Sequence, residues 1–231
     1  MTEAAQPRVS ALASTQLDCP VCRATDTQAF DSIGGTDYWR CASCEATFVD
    51  PAQFLGRDEE YAVYLQHEND PADARYRAFL SKLADPILAK LQPRSLVLDY
   101  GCGPGPALAA MLGEAGHDVR IYDPFFHPDK DALTESYDAI TCTEVAEHLH
   151  HPADEFDRLD ALLRPGGWLA VMTKFQTKDA SFADWHYRKD PTHVVFYREA
   201  TFRKIAAQRV WHCEIPVEDV ALMRKAKTEA K

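Results

Sequence analysis

The sequence predicts an α/β chain: a doubly wound, mostly parallel sheet with a small metal-bound ribbon in front of it. Three observations carry this expectation. Four cysteines fall into two C-x2-C pairs near the N-terminus, strand-length apolar runs alternate with helical stripes from residue 95 onward, and the first of those runs leads into VLDYGCGPGPALAAML at 97–112. Strand–loop–helix alternation is the pattern of a parallel sheet covered on both faces, with its ligand above the carboxyl ends of the strands.

Composition bounds the possibilities. A chain of 231 residues, 46% hydrophobic and 26% charged, has room for one well-cored domain and a small appendage. The formal charge of −11 repels polyanions and disfavours nucleic acid unless a local basic patch overrides it. The only basic-leaning stretch is the tail RKAKTEAK, read as solvated. The longest apolar runs, around SLVLDY and WLAVMT, fall far short of the roughly 20 residues that span a bilayer. The opening MTEAAQPRVSALAS lacks the basic patch and apolar core of a secretory leader, so the expected location is cytoplasmic with no membrane partner.

Residues 1–55 read as the ribbon, with 1–15 expected to be flexible. Cys19-x2-Cys22 and Cys41-x2-Cys44 are separated by eighteen residues, inside the window for a tetrahedral zinc site. Each pair can aim two thiolates at one ion, and together they close its shell, which is the mark of a structural rather than a catalytic metal. A redox C-x-x-C would leave the second pair unexplained, and no βαβ pattern follows Cys22. Between the pairs, AFDSIGGTDYWRC reads as two strands turning at Gly34-Gly35. So small a module has little core and should depend on its metal to fold. Cys102, Cys142 and Cys213 stand alone and read as buried small apolar residues.

Residues 56–94 form a connector. Tyr76, Phe79, Leu80, Leu83, Ile87, Leu88 and Leu91 recur at helical spacing between Pro71 and Pro93. Upstream, Tyr61, Tyr64 and His67 are read either as a substrate lid or as part of the linker.

Residues 95–231 carry the alternation. LVLDY is a buried parallel strand, the glycines make the turn, and ALAAMLGEAG is a helix. HDVRIYD is a strand ending at Asp123, and YDAITCTEV another. FDRLDALLRPGG is a helix stopped by Pro165-Gly166-Gly167, and WLAVMTK a further strand.

A strand that ends on an acid and runs into alternate glycines suits one of two ligands. A nicotinamide dinucleotide fingerprint, G-x-G-x-x-G or -A, needs a small residue where this chain has Pro106. The spacing here, Asp99-x-Gly101-x-Gly103-x-Gly105, resembles instead motif I of the class I S-adenosylmethionine-dependent methyltransferases. That ligand carries a ribose, an amino-acid tail and a sulfonium cation, so it calls for close backbone approach and nearby carboxylates. IYDP, YDAITCTEVAEHL, LLRPGGWLAVMT and DPTHVVFYREATFRKIAAQ resemble the family's later motifs, in the family's order. The resemblance implies a Rossmann-like sheet and cofactor contacts at Asp99, Gly101, Gly103, Gly105, Asp123 and Thr143, with Asp123 on the ribose hydroxyls. It also exposes a departure. Only thirteen residues separate Asp123 from Tyr137, where the family fits a helix, a third strand and an acidic adenine contact. The third strand is therefore doubtful, and Asp129, Asp131 and Glu135 are all open as the adenine contact.

Methyl transfer needs donor and acceptor aligned and, for a hydroxyl acceptor, its proton removed or weakened. If the chain continues as a turn of helix after the YDAITCTEV strand, Glu144, Glu147 and His148 share one face. E-x-x-E-H with the later His193 looks like the metal set of small-RNA terminal ribose methyltransferases and of some ubiquinone-pathway O-methyltransferases. That resemblance implies a magnesium, manganese or zinc ion on Glu144, Glu147, His148 and His193. A general base at His148 or His193 and a purely structural role remain as alternatives. His150 and His151 read as a solvated turn. Trp185, His186, Tyr187 and Arg188, just ahead of His193, form a polar-aromatic cluster suited to a flat or hydroxylated molecule. The expected activity is methylation of oxygen, less readily carbon, on a small metabolite. An RNA methyltransferase gripping its substrate with the ribbon and a noncatalytic cofactor-binding adaptor are the rival readings.

Overall fold

The structure is a computed structural model that describes residues 17–66 and 69–227. Its first sheet is built around β1 (Thr27–Ile33) and β2 (Thr36–Cys41), antiparallel strands that turn at Gly34 and Gly35. Both glycines have positive φ, +62° and +91°, as a tight hairpin turn requires. β3 (Thr47–Val49) pairs with β2. On its other side it pairs with β8 (Val195–Phe196), from far along the chain, at Thr47–Phe196 and Phe48–Val195.

The ribbon therefore does not stand alone. Its four cysteines, Trp39 and Phe48 belong to one buried cluster with Leu98, Phe156 and Phe202 of the main body. Polar ties cross the same boundary: Thr201 Oγ1 donates to the Cys44 carbonyl at 2.8 Å and Gln208 Nε2 to the Cys22 carbonyl at 2.9 Å. A coreless module was expected; sequence periodicity does not show that its apolar face is covered from 150 residues away.

The connector holds α1 (Arg57–Tyr64) and α2 (Ala74–Leu88). Asp73 caps α2 by accepting from the Arg75 amide at 2.8 Å. The helix runs past Pro86, its last turns anchored by the fully buried Leu83 and Ile87.

The main sheet has the order β5-β4-β6-β7-β10-β9. β4 (Leu96–Tyr100), β5 (Asp118–Tyr122), β6 (Tyr137–Thr143) and β7 (Leu163–Met172) are parallel. α2 and α3 (Ala107–Glu114) supply the apolar side chains on one face. α4 (Pro152–Leu162), α5 (Glu199–Gln208) and the ribbon supply them on the other.

Three expectations need correction. α4 ends at Leu162, and Pro165-Gly166-Gly167 lie inside β7 rather than at a helix end. The chain closes on two antiparallel strands, β9 (His212–Val217) and β10 (Val220–Arg224), which the sequence reading leaves unassigned. The basic stretch begins with the last residue of β10, and its first two residues are not simply solvated: Arg224 lies over the Trp168 ring at 5.3 Å and Lys225 pairs with Asp160 at 3.0 Å. The doubtful third strand does not form among the described residues. Its place is taken by a bridge between Asp123 and His127 and a 3-10 turn at Lys130–Leu133, leaving β5 at the sheet edge. No helix of the described residues is long and apolar enough to cross a membrane.

Candidate functional site

A cavity of about 650 Å³ opens above the carboxyl ends of β4, β5 and β6, where a doubly wound sheet places its ligand. Its walls contain Asp99, Gly101, Gly103, Asp123, Thr143, Glu144, Glu147, His148 and His193, so one space gathers nearly every residue expected there.

The glycine loop is shaped by close contacts. Gly101 has φ +76°, and a Cβ on it would lie 2.3 Å from Val145 Cγ2. A Cβ on Gly105 would lie 1.7 Å from the Asn69 carbonyl oxygen. The need for glycine at 105 thus comes from the connector segment around Asn69 resting on the loop, a cause with no signal in the sequence.

Two carboxylates face the cavity beside this loop. Asp99, at the end of β4, is 3% exposed and accepts from Thr141 Oγ1 at 2.8 Å. Burial pushes its carboxyl from 3.8 up to about 6, against the pull of that hydroxyl and of the Ala109 amide in the first turn of α3. Asp123 accepts from the Gly103 amide at 3.0 Å through Oδ2, and from the Phe125 and Phe126 amides at 2.8 and 3.0 Å through Oδ1. Its carboxylate is thereby locked in place, with Oδ1 filled by two donors and a lone pair remaining on Oδ2. Asp129, Asp131 and Glu135 line a separate depression, and none of them reaches the main cavity. The wall at that end is Phe125 and Phe126, which are legible only as the pair directly after Asp123-Pro124.

α1 and the residues around it form one side of the opening. Tyr61 stacks on Phe125 at 5.8 Å, and Arg57 sits 4.6 Å over the same ring. Tyr64 meets Phe125 and His148 edge-on. His67 lies outside the described residues. His150, expected in a solvated turn, binds Glu60 at 2.8 Å and packs on Phe54, so it belongs to the wall. His151 is exposed at the rim.

At the inner end, the ligand atoms of Glu147, His148 and His193 lie within 4.8 Å of one another. Glu144 is not in this group. The chain does not continue from β6 as a helix: Glu144 has φ +52°, and a 3-10 turn covers only Ala146–His148. The side chain of Glu144 is instead within 3.4 Å of the Tyr187 hydroxyl. Burial, and then the neighbouring Glu147, push its carboxyl up to about 9, so it holds its proton at neutral pH.

Glu147 is fully buried. Tyr187 donates to its Oε1 at 2.5 Å, while Oε2 has no hydrogen-bond partner. Nδ1 of His148 bonds the Thr192 carbonyl at 3.1 Å and Nδ1 of His193 the Tyr187 carbonyl at 2.7 Å. A carbonyl can only accept, so both Nδ1 atoms carry hydrogen and both Nε2 atoms present a lone pair when the rings are neutral. Burial, and then the nearby His148, favour the neutral form of His193. Two imidazoles held in this tautomer beside a carboxylate oxygen without a partner fit a divalent cation.

Of the segment before His193, only Asp190 joins the cavity wall. Trp185 packs on Phe182 and Phe196, Arg188 donates to the Tyr38 hydroxyl, and Tyr187 is buried beneath Glu147. The polar-aromatic cluster is a support for the site and not its substrate surface. Asp190, which the sequence reading passes over, places Oδ2 3.9 Å from His193 Nε2.

A second donor set lies in the ribbon. The ligand atoms of Cys19, Cys22, Cys41 and Cys44 are within 4.8 Å of one another and all four residues are buried. Without a cation they cannot ionise together. Cys19, accepting from Cys44, falls to about 6, whereas burial pushes Cys41 up to about 12. Four thiols so crowded are the donor chemistry of a closed tetrahedral site.

A family model described as "Methyltransferase domain" matches residues 69–210. A ubiquinone biosynthesis O-methyltransferase of Xylella fastidiosa (strain M23) is 30% identical over 158 residues, covering 55% of this chain and 63% of the relative. A tRNA U34 carboxymethyltransferase of Hahella chejuensis is 32% identical over 112 residues, 38% of this chain and 34% of the relative. The chain thus spans less than two thirds of the length of these curated relatives. Among solved structures, a 1,6-didemethyltoxoflavin-N1-methyltransferase of Burkholderia thailandensis overlaps 87% of this chain and all of its own, at 16% identity and a TM-score of 0.47.

Proposed function

This chain belongs to the class I S-adenosylmethionine-dependent methyltransferases, and we propose that it methylates a hydroxyl of a small, uncharged or cationic metabolite with the help of a divalent ion at Glu147, His148 and His193. The observation that carries this reading is the partnerless Oε2 of Glu147, buried beside two imidazoles at the inner end of the cofactor cavity.

S-adenosylmethionine supplies a methyl group already activated on a sulfonium sulfur. In this reading Asp123, with Asp99 and the Gly101–Gly105 loop, holds it, and Asp123 accepts from the ribose hydroxyls. Glu147, His148 and His193 would hold an ion at the inner end, and it would supply a Lewis acid able to lower the pKa of an acceptor hydroxyl. Glu147, His148 and His193 fix where that hydroxyl sits, and their rigid backing limits its motion relative to the methyl group. Thr143 stands where β6 meets the cavity, between the cofactor end and the acceptor end. Tyr64 and Phe125, the latter backed by Tyr61, narrow the opening and exclude water from one side.

The charge of the cavity supports a small acceptor over RNA. Among the described residues, Glu60, Asp99, Asp123, Glu147, Glu155 and Asp190 line it against a single permanent cation, Arg57. A polyanion approaching that wall gains no counterion release and meets repulsion. The ribbon in this reading carries a structural zinc and splints the site. The Val49 amide donates to the Val194 carbonyl at 2.9 Å, and the Val194 amide to the Glu147 carbonyl at 2.8 Å.

The test is turnover of S-adenosylmethionine with pooled small metabolites and, separately, with RNA, in the presence and absence of added magnesium or manganese. Methylation of RNA alone would overturn the substrate class. Turnover indifferent to a weak chelator, with His193→Ala still impaired, would assign the imidazoles to base catalysis instead.

A further inference from the structure

We propose that Tyr187 is the positioning residue of the Glu147–His148–His193 centre: its phenol aims the Glu147 carboxylate and its carbonyl aims His193, so one residue fixes two of the three metal donors. The inference rests on the divalent-ion reading above.

The Tyr187 side chain is 8% exposed and its ring lies 4.1 Å from the ring of His193. Its hydroxyl donates to Glu147 Oε1 at 2.5 Å. With that proton committed, the oxygen accepts from the Lys174 amide at 3.3 Å and from Thr173 Oγ1 at 3.0 Å. These two contacts come from the chain just beyond β7, a rigid anchor outside the cavity. The phenol is therefore held from behind, and of the two carboxylates in its reach Glu147 Oε1, at 2.5 Å against 3.4 Å for Glu144 Oε2, is the closer acceptor.

The consequence for Glu147 is directional. Oε1 is occupied by a strong donor and Oε2 is left as the one oxygen without a partner, so the carboxylate can offer an ion a single, oriented ligand atom. The Tyr187 carbonyl performs the matching task for His193, holding Nδ1–H at 2.7 Å so that Nε2 is the remaining ligand atom. Outer partners of this kind orient metal ligands and are worth about 10–100-fold in metal affinity. Tyr187 touches neither cofactor nor acceptor space, because it is absent from the cavity wall.

The test is calorimetric titration of manganese into the full zinc-loaded chain, together with the manganese electron paramagnetic resonance signal. The wild-type chain should bind one manganese and His193→Ala should abolish it; a wild-type chain that binds none overturns the metal reading and this inference with it. Tyr187→Phe keeps the ring packing and should bind manganese about 10–100-fold more weakly, with unchanged zinc content and thermal midpoint. Wild-type affinity in Tyr187→Phe, while His193→Ala still abolishes binding, overturns the positioning role and leaves the metal reading intact. If Tyr187→Phe proves unstable, Thr173→Val removes one of the two groups that hold the phenol without touching the ring and should weaken manganese in the same direction. In a Glu147→Ala background, which removes the phenol's acceptor, Tyr187→Phe should weaken the remaining manganese binding no further, since the Tyr187 carbonyl still holds His193 in both chains. Fully additive losses would mean that the phenol acts elsewhere and would overturn the proposal.

Discussion

Replacing Asp99 by Asn should stabilise this protein at neutral pH and leave it nearly unchanged in mild acid. Asp99 is buried, and its carboxyl is raised from 3.8 to about 6. Between about pH 4 and pH 6 the native chain retains a proton that the unfolded chain releases, so wild-type stability falls as pH rises through that window. At about 1.4 kcal/mol for each tenfold change in proton concentration, the ionised carboxylate costs about 3 kcal/mol above pH 7. Asparagine cannot ionise, and its hydrogen bonds can be met in place. Its carbonyl can accept from the Ala109 amide, and its amide can donate to Thr141 Oγ1, whose hydrogen can turn to the Leu98 carbonyl at 3.4 Å. The assay is urea unfolding followed by circular dichroism at pH 4, 5, 6 and 7.5 for both chains. The difference should grow from near zero to about 2–3 kcal/mol in favour of Asp99→Asn. The variant should also bind S-adenosylmethionine more weakly, which would explain why an acid is kept at a destabilising position. A variant equally destabilised at every pH would refute the reasoning, because it would mean that the ionised form is favourably held.

Four further outcomes follow from the geometry. Elemental analysis should find one zinc per wild-type chain and none in Cys41→Ser, as expected if the four cysteines hold it. Because the ribbon core is continuous with the main body and β3 splints β8, proteolysis should then reach the segment around Val195 as well as the ribbon. Asp123→Ala should weaken S-adenosylmethionine and S-adenosylhomocysteine alike by about 1.5–3 kcal/mol in calorimetry, since both carry the ribose; unchanged affinity would move the ribose site. Gly105→Ala should raise the Kd for the cofactor and lower the thermal midpoint together, because its Cβ would collide with the Asn69 carbonyl. His193→Ala should lower an established methyl-transfer rate by about 10²–10⁴-fold with cofactor affinity preserved, and a variant of normal rate would make the cluster structural.

Much of this protein is local and therefore readable in one dimension. The strand-glycine-helix stretch at 96–114, the Gly34-Gly35 hairpin and the paired cysteines each depend on backbone geometry or ligand spacing within a few residues. Their periodicity identifies the α/β class, and the resemblance of their motifs to a methyltransferase family points to Asp99, Asp123, His148 and His193 before any contact is known. The missing third strand is equally local, because thirteen residues cannot hold a helix and a strand. Tertiary structure decided what depends on distant partners. Glu144 falls out of the donor set because β6 ends in a left-handed residue rather than a helix, a choice made where the chain meets β7 and Tyr187. Tyr187 turns from a substrate contact into a support because its hydroxyl finds Glu147, 40 residues away in sequence. The ribbon is joined to the site by β8, a two-residue strand too short to announce itself by pattern. Periodicity records which face of an element is apolar. Which other element covers that face, and which buried oxygen is left without a partner, is settled only when side chains compete for the same space.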